Sequence, residues 1–381
     1  MRARALGLAL ALAACHPSRT PPHAAPKSPE LVARGGWQKS ATEPYQGKQD
    51  DLYFVSPTVG FYGNGAGKVF RTDDGGATWK TIMNQPGTYV RALAFLDDRR
   101  GFVGNLGPES FPGVTDPQLL YRTDDGGASW QPVALPSPDG ARGVCAIDVL
   151  ALDAVNAGHR LHRELVHVGG RVGGPAALFR SLDGGRAWTR LPLPPEIAMI
   201  LDVKFQDVST GFVFAGSDPD VAKSNGVIGK TTDGGQTWKI VYRSPRPFEL
   251  MWKGAFPTRL IGYATLQNYT GEAAEDPQSG VTAQKPRFVV KTTDGGDTWH
   301  ELPLVEDARV QEFGVGFVDD RHGWVGAIPT GFATRDGGAT WTPAPDMPKA
   351  GNKIRIVRTP TGTAVWAIGL DVRHLDLISR P

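Results

Sequence analysis

The ten residues RTDDGGATWK, from Arg71 to Lys80, combine two carboxylates, two glycines and a tryptophan, a set that could serve acid–base chemistry or hold a metal ion. The same phrase returns as RTDDGGASWQ, RSLDGGRAWT, KTTDGGQTWK, KTTDGGDTWH and ATRDGGATWT. A catalytic loop is needed once, whereas a turn that closes a repeated unit is needed in every unit. We therefore interpret the phrase as a structural turn, and the following as structural residues: Asp74, Trp79, Asp125, Trp130, Asp183, Trp188, Asp233, Trp238, Asp294, Trp299, Asp336 and Trp341.

Each phrase has the composition of a turn between two strands. The Asp-Gly pair favours a hairpin, because glycine adopts positive φ and the carboxylate can accept backbone N–H bonds. The tryptophan begins the next strand, where its ring can pack against a neighbouring sheet. A short apolar strand precedes the phrase and ends in a basic residue in five of the six copies, and two further strands lie upstream, as in ILDVKFQDVSTGFVFAG. The sequence therefore predicts four strands per repeat.

The spacing of the tryptophans predicts how the repeats close. The six lie 42 to 61 residues apart, and Trp37 lies 42 residues before Trp79. After Trp341 the chain has room for three strands, KIRIVRT, TAVWAIG and RHLDLIS, and the segment around Trp37 supplies a fourth. A sheet shared by both chain ends would close a ring and remove open sheet edges. We predict an all-β fold, a seven-bladed β-propeller of four-stranded antiparallel blades, with the last blade closed by the N-terminal strand near Trp37.

With six spaced copies, the phrase resembles the Asp-box, or BNR, repeat, and the likeness covers nearly the whole chain from about residue 36. Similar boxes occur in sialidases, xyloglucan-active glycoside hydrolases, sortilin-type receptors and photosystem II assembly factors. The chain is most similar to the last group in its single-domain length, its DGGxTW phrasing and its GFVxG-type second strands. The resemblance implies that the boxes lie on the face opposite the usual binding surface. The third box departs from the pattern, with Ala187 where Thr or Ser is expected, so we expect a looser turn there.

Three long segments, 105–117, 217–225 and 266–286, fall between the second and third strands of their repeats. Long loops on a rigid scaffold commonly carry binding sites, and idle surface insertions are the alternative. The acidic residues that could act there are Glu109, Asp116, Glu272, Glu275 and Asp276. Glycoside hydrolysis needs two facing carboxylates, and nothing in the sequence pairs any two of these. We therefore predict no catalytic residue.

Two further patterns could indicate chemistry. The Arg-Ile-Pro motif that resemblance to sialidases would require has its nearest match in Arg190-Leu191-Pro192, which follows the third box instead of preceding the first. His159, His162 and His167 lie within nine residues and could bind a metal ion, but their spacing matches no zinc pattern, and an irregular exposed strand explains them equally well. We predict no metal and no cofactor.

The first fifteen residues, MRARALGLALALAAC, have a basic start, an apolar run and small residues before Cys15, which is typical of an export signal. Leu12-Ala13-Ala14-Cys15 also resembles the bacterial lipobox. We therefore predict lipidation of Cys15, the alternative being an ordinary signal peptide with a chance cysteine. Residues 16–34, rich in proline, are predicted to form an extended spacer, and residues 35–381 the propeller.

The chain has 41 basic and 39 acidic residues and no basic run, a balance that favours neither nucleic acid nor an anionic membrane surface as a partner. We predict an exported monomer in the bacterial cell envelope, attached to a membrane only through its N-terminal lipid. It would bind a protein without catalysis, and the resemblance implies an assembly or scaffolding role. One alternative is a carbohydrate-active enzyme, glycoside hydrolase or sialidase-like, that uses the loop-rich face on a polysaccharide. Another is a structural envelope protein with no specific ligand.

Overall fold

The computed structural model describes residues 31–136, 140–156, 159–269 and 286–379. These residues form 29 strands and no helix. Consequently, nothing in these ranges forms a helix long and apolar enough to cross a membrane.

The strands form seven antiparallel sheets, and six of these contain four strands that follow one another along the chain. We number these six sheets as blades one to six in chain order. Their strands are, in blade one, β3 Asp51–Phe54, β4 Gly60–Gly63, β5 Lys68–Thr72 and β6 Lys80–Asn84; in blade two, β7 Val90–Phe95, β8 Gly101–Asn105, β9 Leu120–Thr123 and β10 Gln131–Pro132; in blade three, β11 Ala146–Asn156, β12 His159–Gly170, β13 Ala177–Ser181 and β14 Thr189–Arg190; in blade four, β15 Met199–Phe205, β16 Gly211–Gly216, β17 Gly226–Thr231 and β18 Lys239–Arg243; in blade five, β19 Glu249–Ala255, β20 Gly262–Asn268, β21 Arg287–Thr292 and β22 His300–Val305; and in blade six, β23 Gln311–Phe317, β24 Gly323–Ile328, β25 Gly331–Thr334 and β26 Thr342–Ala344.

The seventh sheet combines the two ends of the described chain. Its strands are β27 Lys353–Thr359, β28 Gly362–Ile368 and β29 Val372–Ser379, with β1 Leu31–Ala33 and β2 Gln38–Lys39 both paired to β29. In β2, Gln38 lies opposite His374. Trp37, between the two N-terminal strands, is buried and meets Trp324 of the preceding sheet edge-on, with ring centroids 6.1 Å apart. The predicted closure near Trp37 is confirmed, and β1 shows that the ring includes residues predicted as spacer.

The sheets are arranged in a ring. The first strand of each sheet contacts the first strand of the next, from β3 through β7, β11, β15, β19 and β23 to β27, and β27 contacts β3 again. The fold is therefore a seven-bladed β-propeller, as predicted, and its first strands surround the central channel.

Aromatic rings join adjacent blades. Phe61 on the second strand of blade one stacks on Phe95 at the end of the first strand of blade two, with centroids 3.5 Å apart. Trp130, the box tryptophan of blade two, meets Phe95 edge-on at 6.4 Å. Blades five and six repeat the arrangement with Tyr263 on Phe317 at 3.6 Å. Because such rings bury large apolar areas, the repeated tryptophans stabilise the contacts between sheets.

Candidate functional site

The two faces of the ring differ in the length of their loops. In antiparallel blades, the turns after the first and third strands lie at one end and the loops after the second strand at the other. The six repeated turns therefore share one face, which we call the box face. The long segments follow β8, β16 and β20, and their described residues lie on the opposite face, the loop face. Of the third segment, residues 270–285 lie outside the described ranges.

At the loop face, the channel widens into a pocket of about 470 Å³, which we call the loop-face mouth. It is lined by residues from four blades and from the segment that leads into β3, including Lys48, Asp50, Tyr89, Arg91, Glu109, Phe111, Arg171, Trp252, Gln267, Tyr269 and Phe313. Its size is within the range of small-ligand and peptide-side-chain pockets, ~300–1,000 Å³.

A buried ion cluster forms the floor of the mouth. Asp50 pairs with Arg91, whose Nη1 lies 2.8 Å from Oδ1 of Asp50, and the same carboxylate accepts a hydrogen bond from Lys48. Burial disfavours the charged form of Asp50, but Arg91 and Lys48 outweigh burial and lower its pKa below the ordinary value. Burial lowers the pKa of Lys48 to about 8, against the opposing attraction of Asp50. The cluster therefore holds two basic groups against one carboxylate.

Aromatic rings surround this cluster. Trp252 and Phe313 meet edge-on with centroids 6.2 Å apart, and Lys48 Nζ lies 5.2 Å from the centroid of Phe313. On the other side, Tyr89 stacks on Phe111 at 5.2 Å, and the side of Phe111 away from Tyr89 faces solvent, since the residue is 51 % exposed. Exposed aromatic rings beside desolvated cations are typical of protein-binding surfaces.

Asp50, on the floor of the mouth, does not have the electrostatic setting of the acid in glycoside hydrolysis. The acid in that reaction needs a raised pKa, whereas the pKa of Asp50 is lowered by its ion pairs. Of the acidic residues singled out in the long segments, Glu109 lines the mouth, and Asp116 accepts a hydrogen bond from Tyr121 at 2.7 Å. Glu272, Glu275 and Asp276 lie outside the described ranges.

The repeated turns are closed by their own side chains, as blade four illustrates. The carboxylate of Asp233 accepts bonds from the Thr231 hydroxyl at 2.8 Å, from the Thr237 backbone N–H at 2.9 Å and from the Thr237 hydroxyl at 2.6 Å. These donors, the Thr237 hydroxyl first among them, lower the pKa of Asp233. Gly234 and Gly235 both have positive φ, 74° and 89°, which glycine adopts without strain.

The third turn lacks one of these bonds. Asp183 still accepts from the Ser181 hydroxyl at 2.7 Å and from the Ala187 backbone N–H at 3.0 Å, but Ala187 has no hydroxyl to donate to its second oxygen. The second carboxylate oxygen of Asp183 therefore lacks the hydroxyl donor that Thr or Ser supplies in the usual pattern.

The basic residue before each turn reaches the turn of the next blade. Arg71 donates to the carbonyl of Gly126 at 3.3 Å, and Lys230 and Lys291 donate to the carbonyls of Gly295 and Gly337 at 2.8 and 2.9 Å. The sixth blade has no such residue, and no repeated turn follows it. At the closure, Ser40 instead donates to the carbonyl of Gly76 at 2.7 Å.

Two histidines of blade three, His162 and His167, do not share a site. His167 is fully buried and stacks on Phe205 with centroids 3.5 Å apart, in the position that Phe61 takes on Phe95 in blade one. His162 is exposed and lies against Asp153 and Glu164 at 2.9 and 3.2 Å. The side chain of His159 and the whole of Cys15 lie outside the described part of the chain.

Sequence reasoning singled out Glu109 and its segment but missed the floor of the mouth. Arg91 and Trp252 lie on first strands, and Lys48 and Asp50 precede one. The available signal was the charge of Arg91, which interrupts the otherwise apolar strand VRALAF.

Comparison with known proteins agrees with this architecture. No protein-family model matches the chain. It is 27 % identical over 162 residues to the photosystem II assembly lipoprotein Ycf48 of Synechococcus sp. (strain CC9902), covering 42 % of this chain and 39 % of that protein. It is 23 % identical over 305 residues to a xyloglucanase of Paenibacillus sp., covering 72 % of this chain and 27 % of that protein. The matches thus span well under half of either relative.

Among solved structures, the chain is similar to Ycf48 bound to a D1 peptide, with a TM-score of 0.60 and 15 % identity, covering 94 % of this chain and all of that one. The chain is therefore a propeller similar in fold to a photosystem II assembly factor.

Proposed function

We propose that this chain is a non-catalytic binding propeller whose loop-face mouth receives a segment of another protein, in an assembly or scaffolding role. The observation that carries the proposal is the mouth itself, where exposed Phe111 borders a floor on which Lys48 and Arg91 share the carboxylate of Asp50. Such a surface offers contact area and charge for recognition.

Similarity supports the same class of function. Ycf48 of Synechococcus is named as a photosystem II assembly lipoprotein, and a solved structure of Ycf48 is bound to a D1 peptide. We further propose that the present chain is exported and lipid-anchored through Cys15 in the cell envelope. Confinement at a membrane surface would raise the effective concentration of the propeller near its partner.

Cross-linking in native membranes tests the proposal. Full-length protein would be cross-linked in membranes of the source cell, recovered and analysed by mass spectrometry. We expect one reproducible partner, and we expect Phe111→Ala, which removes an exposed ring without disturbing the core, to reduce its capture. Absence of any reproducible partner would instead support a structural envelope protein.

A carbohydrate-active enzyme is the second candidate, because the xyloglucanase match extends over most of this chain. Incubation of the full-length chain with xyloglucan, other β-glucans and sialosides distinguishes the two. We expect no released sugar, and measurable turnover would replace the binding proposal with the enzymatic one.

A further inference from the structure

A second cavity lies in the central channel near the box face, on the opposite side of the ring from the loop-face mouth. It measures about 390 Å³ and narrows from exposed Arg358 and half-buried Phe256 at its outer end to buried Lys253, Lys353 and Asn352 at its inner end. The cavity is thus open to solvent at the box face and reaches into the middle of the channel.

Cations outnumber carboxylates along its wall. Each of three basic side chains faces a carboxylate at 3.2 to 3.3 Å: Lys353 with Asp202, Lys204 with Asp148, and Arg355 with Asp51. A fourth, buried cation, Lys253, has no carboxylate oxygen within 4 Å among the residues that the structure describes. A fifth, the exposed Arg358, donates to the Val318 carbonyl and the Thr363 hydroxyl. The wall therefore carries two cations more than its carboxylates balance.

Lys253 is held in place by uncharged contacts. Its Nζ donates to the carbonyl of Leu201 at 2.8 Å, and the residue is 3 % exposed. The nearby carboxylate of Asp202 is already engaged, because it pairs with Lys353 and accepts the Gly254 N–H at 3.1 Å. Burial, reinforced by the charge of Lys353, lowers the pKa of Lys253 well below its ordinary value. A buried ammonium group without a carboxylate partner destabilises the channel unless a bound anion pairs with it.

We propose that this cavity, the box-face channel site, binds a phosphate group, either as inorganic phosphate or as part of a small phosphomonoester. A dianion placed between Lys253, Lys353 and Arg355 would balance the excess charge and accept charge-assisted hydrogen bonds from both lysines and the guanidinium. The open outer end, beside Arg358, leaves room for an organic group attached to the phosphate. The site is separate from the loop-face mouth and stands independently of the proposed protein-binding function.

Binding would shift the protonation equilibria of both partners. Burial lowers the pKa of Lys253, and a bound dianion, which favours the ammonium form, would raise that pKa again and draw protons to Nζ. Selective binding of the dianion also releases protons from the phosphate monoanion in solution, and no bond to phosphorus is broken. The net number of protons exchanged can be measured from the dependence of the binding enthalpy on the ionisation enthalpy of the buffer.

Isothermal titration calorimetry on the full chain tests the proposal, with inorganic phosphate and glycerol phosphate as probes and chloride used to keep ionic strength constant. We expect one saturable site, with a net proton exchange that differs between wild type and Lys253→Met. Tighter binding of glycerol phosphate would indicate a phosphomonoester as the ligand, and equal or tighter binding of inorganic phosphate would indicate the free anion. Lys253→Met, which keeps the unbranched stem, should lower affinity by roughly ten- to a hundredfold.

The matched control is Lys223→Met, which removes an exposed lysine of the loop face and should leave binding unchanged. Binding of equal strength in Lys253→Met would overturn the proposal, and so would a wild-type titration without a saturable site. If Lys253→Met fails to fold, the wild-type titration alone tests the proposal. If it folds, thermal unfolding provides a second measurement. We expect the Tm of Lys253→Met to equal or exceed that of wild type and not to rise when phosphate is added.

Discussion

Replacing His167 by phenylalanine should stabilise the protein and remove part of its acid sensitivity. The imidazole is fully buried against Phe205, and neither ring nitrogen has a hydrogen-bond partner among the described residues. Blades one, two and four carry Phe61, Phe102 and Phe212 at the equivalent position, so a phenyl ring fits there. At pH 7.5, where the imidazole is neutral in both states, we expect His167→Phe to raise the free energy of unfolding by about 1–3 kcal/mol.

The pH dependence follows from the direction of the pKa shift. Burial, followed by the charge of Arg180, lowers the pKa of His167 to about 3. In the unfolded chain, its pKa is about 6.5, so below that pH the unfolded state binds a proton that the folded state does not. The stability that comes from keeping His167 neutral in the folded state is therefore complete above pH 6.5. As the pH falls from 6.5 towards 3, proton binding by the unfolded chain lowers the free energy of unfolding. By linkage, the loss at pH 5 is about 2 kcal/mol.

Urea denaturation followed by tryptophan fluorescence, at pH 7.5 and pH 5, measures this difference. The decrease in unfolding free energy between the two pH values should be about 2 kcal/mol smaller in His167→Phe than in wild type. His300→Gln, which removes an exposed imidazole on β22, is the control and should follow wild type. Equal pH dependence in wild type and His167→Phe would refute the assignment of a buried neutral imidazole.

Three further predictions address the scaffold and the anchor. Trp238→Ala removes the ring that meets Phe205 edge-on at 6.4 Å, and should lower the free energy of unfolding by about 3 kcal/mol in urea denaturation, whereas a loss below 1 kcal/mol would contradict its role between sheets. Lys230→Met removes the hydrogen bond to the Gly295 carbonyl at 2.8 Å. This should lower the free energy of unfolding by about 1 kcal/mol and increase amide hydrogen exchange in the turn that contains Gly295. Unchanged exchange there would show that the bond does not order the turn. Cys15→Ala should move the protein from detergent-extracted membranes to the soluble fraction, and continued membrane attachment would rule out lipidation at this position.

The ring could be predicted from sequence because its determinants recur. Six Asp-Gly-Gly turns and six tryptophans give the number of units, and the 42-residue interval from Trp37 to Trp79 identifies the unit completed by the other chain end. The contribution of β1 escaped prediction because LVA is short and lies in a proline-rich context without a periodic pattern of its own.

The loop-face mouth could not be predicted, because its residues are unremarkable where each occurs in the sequence. Arg91, Trp252 and Phe313 belong to three blades and meet only when the ring closes. His167 shows the converse: its nearness in sequence to His162 suggested a common site, but strand alternation sends residues five positions apart to opposite faces of a sheet. The strand register of this irregular blade, which the sequence alone leaves open, decides where each histidine side chain lies.

Site-specific photo-cross-linking most directly tests whether the loop face meets the partner. A photoreactive residue would replace Phe111 on the loop face or Leu260 on the box face, the two being 51 % and 61 % exposed, in full-length protein in native membranes. We predict that position 111 captures one reproducible protein and position 260 does not. Capture of that protein from position 260 alone, or equally from both positions, would contradict a binding site at the loop-face mouth.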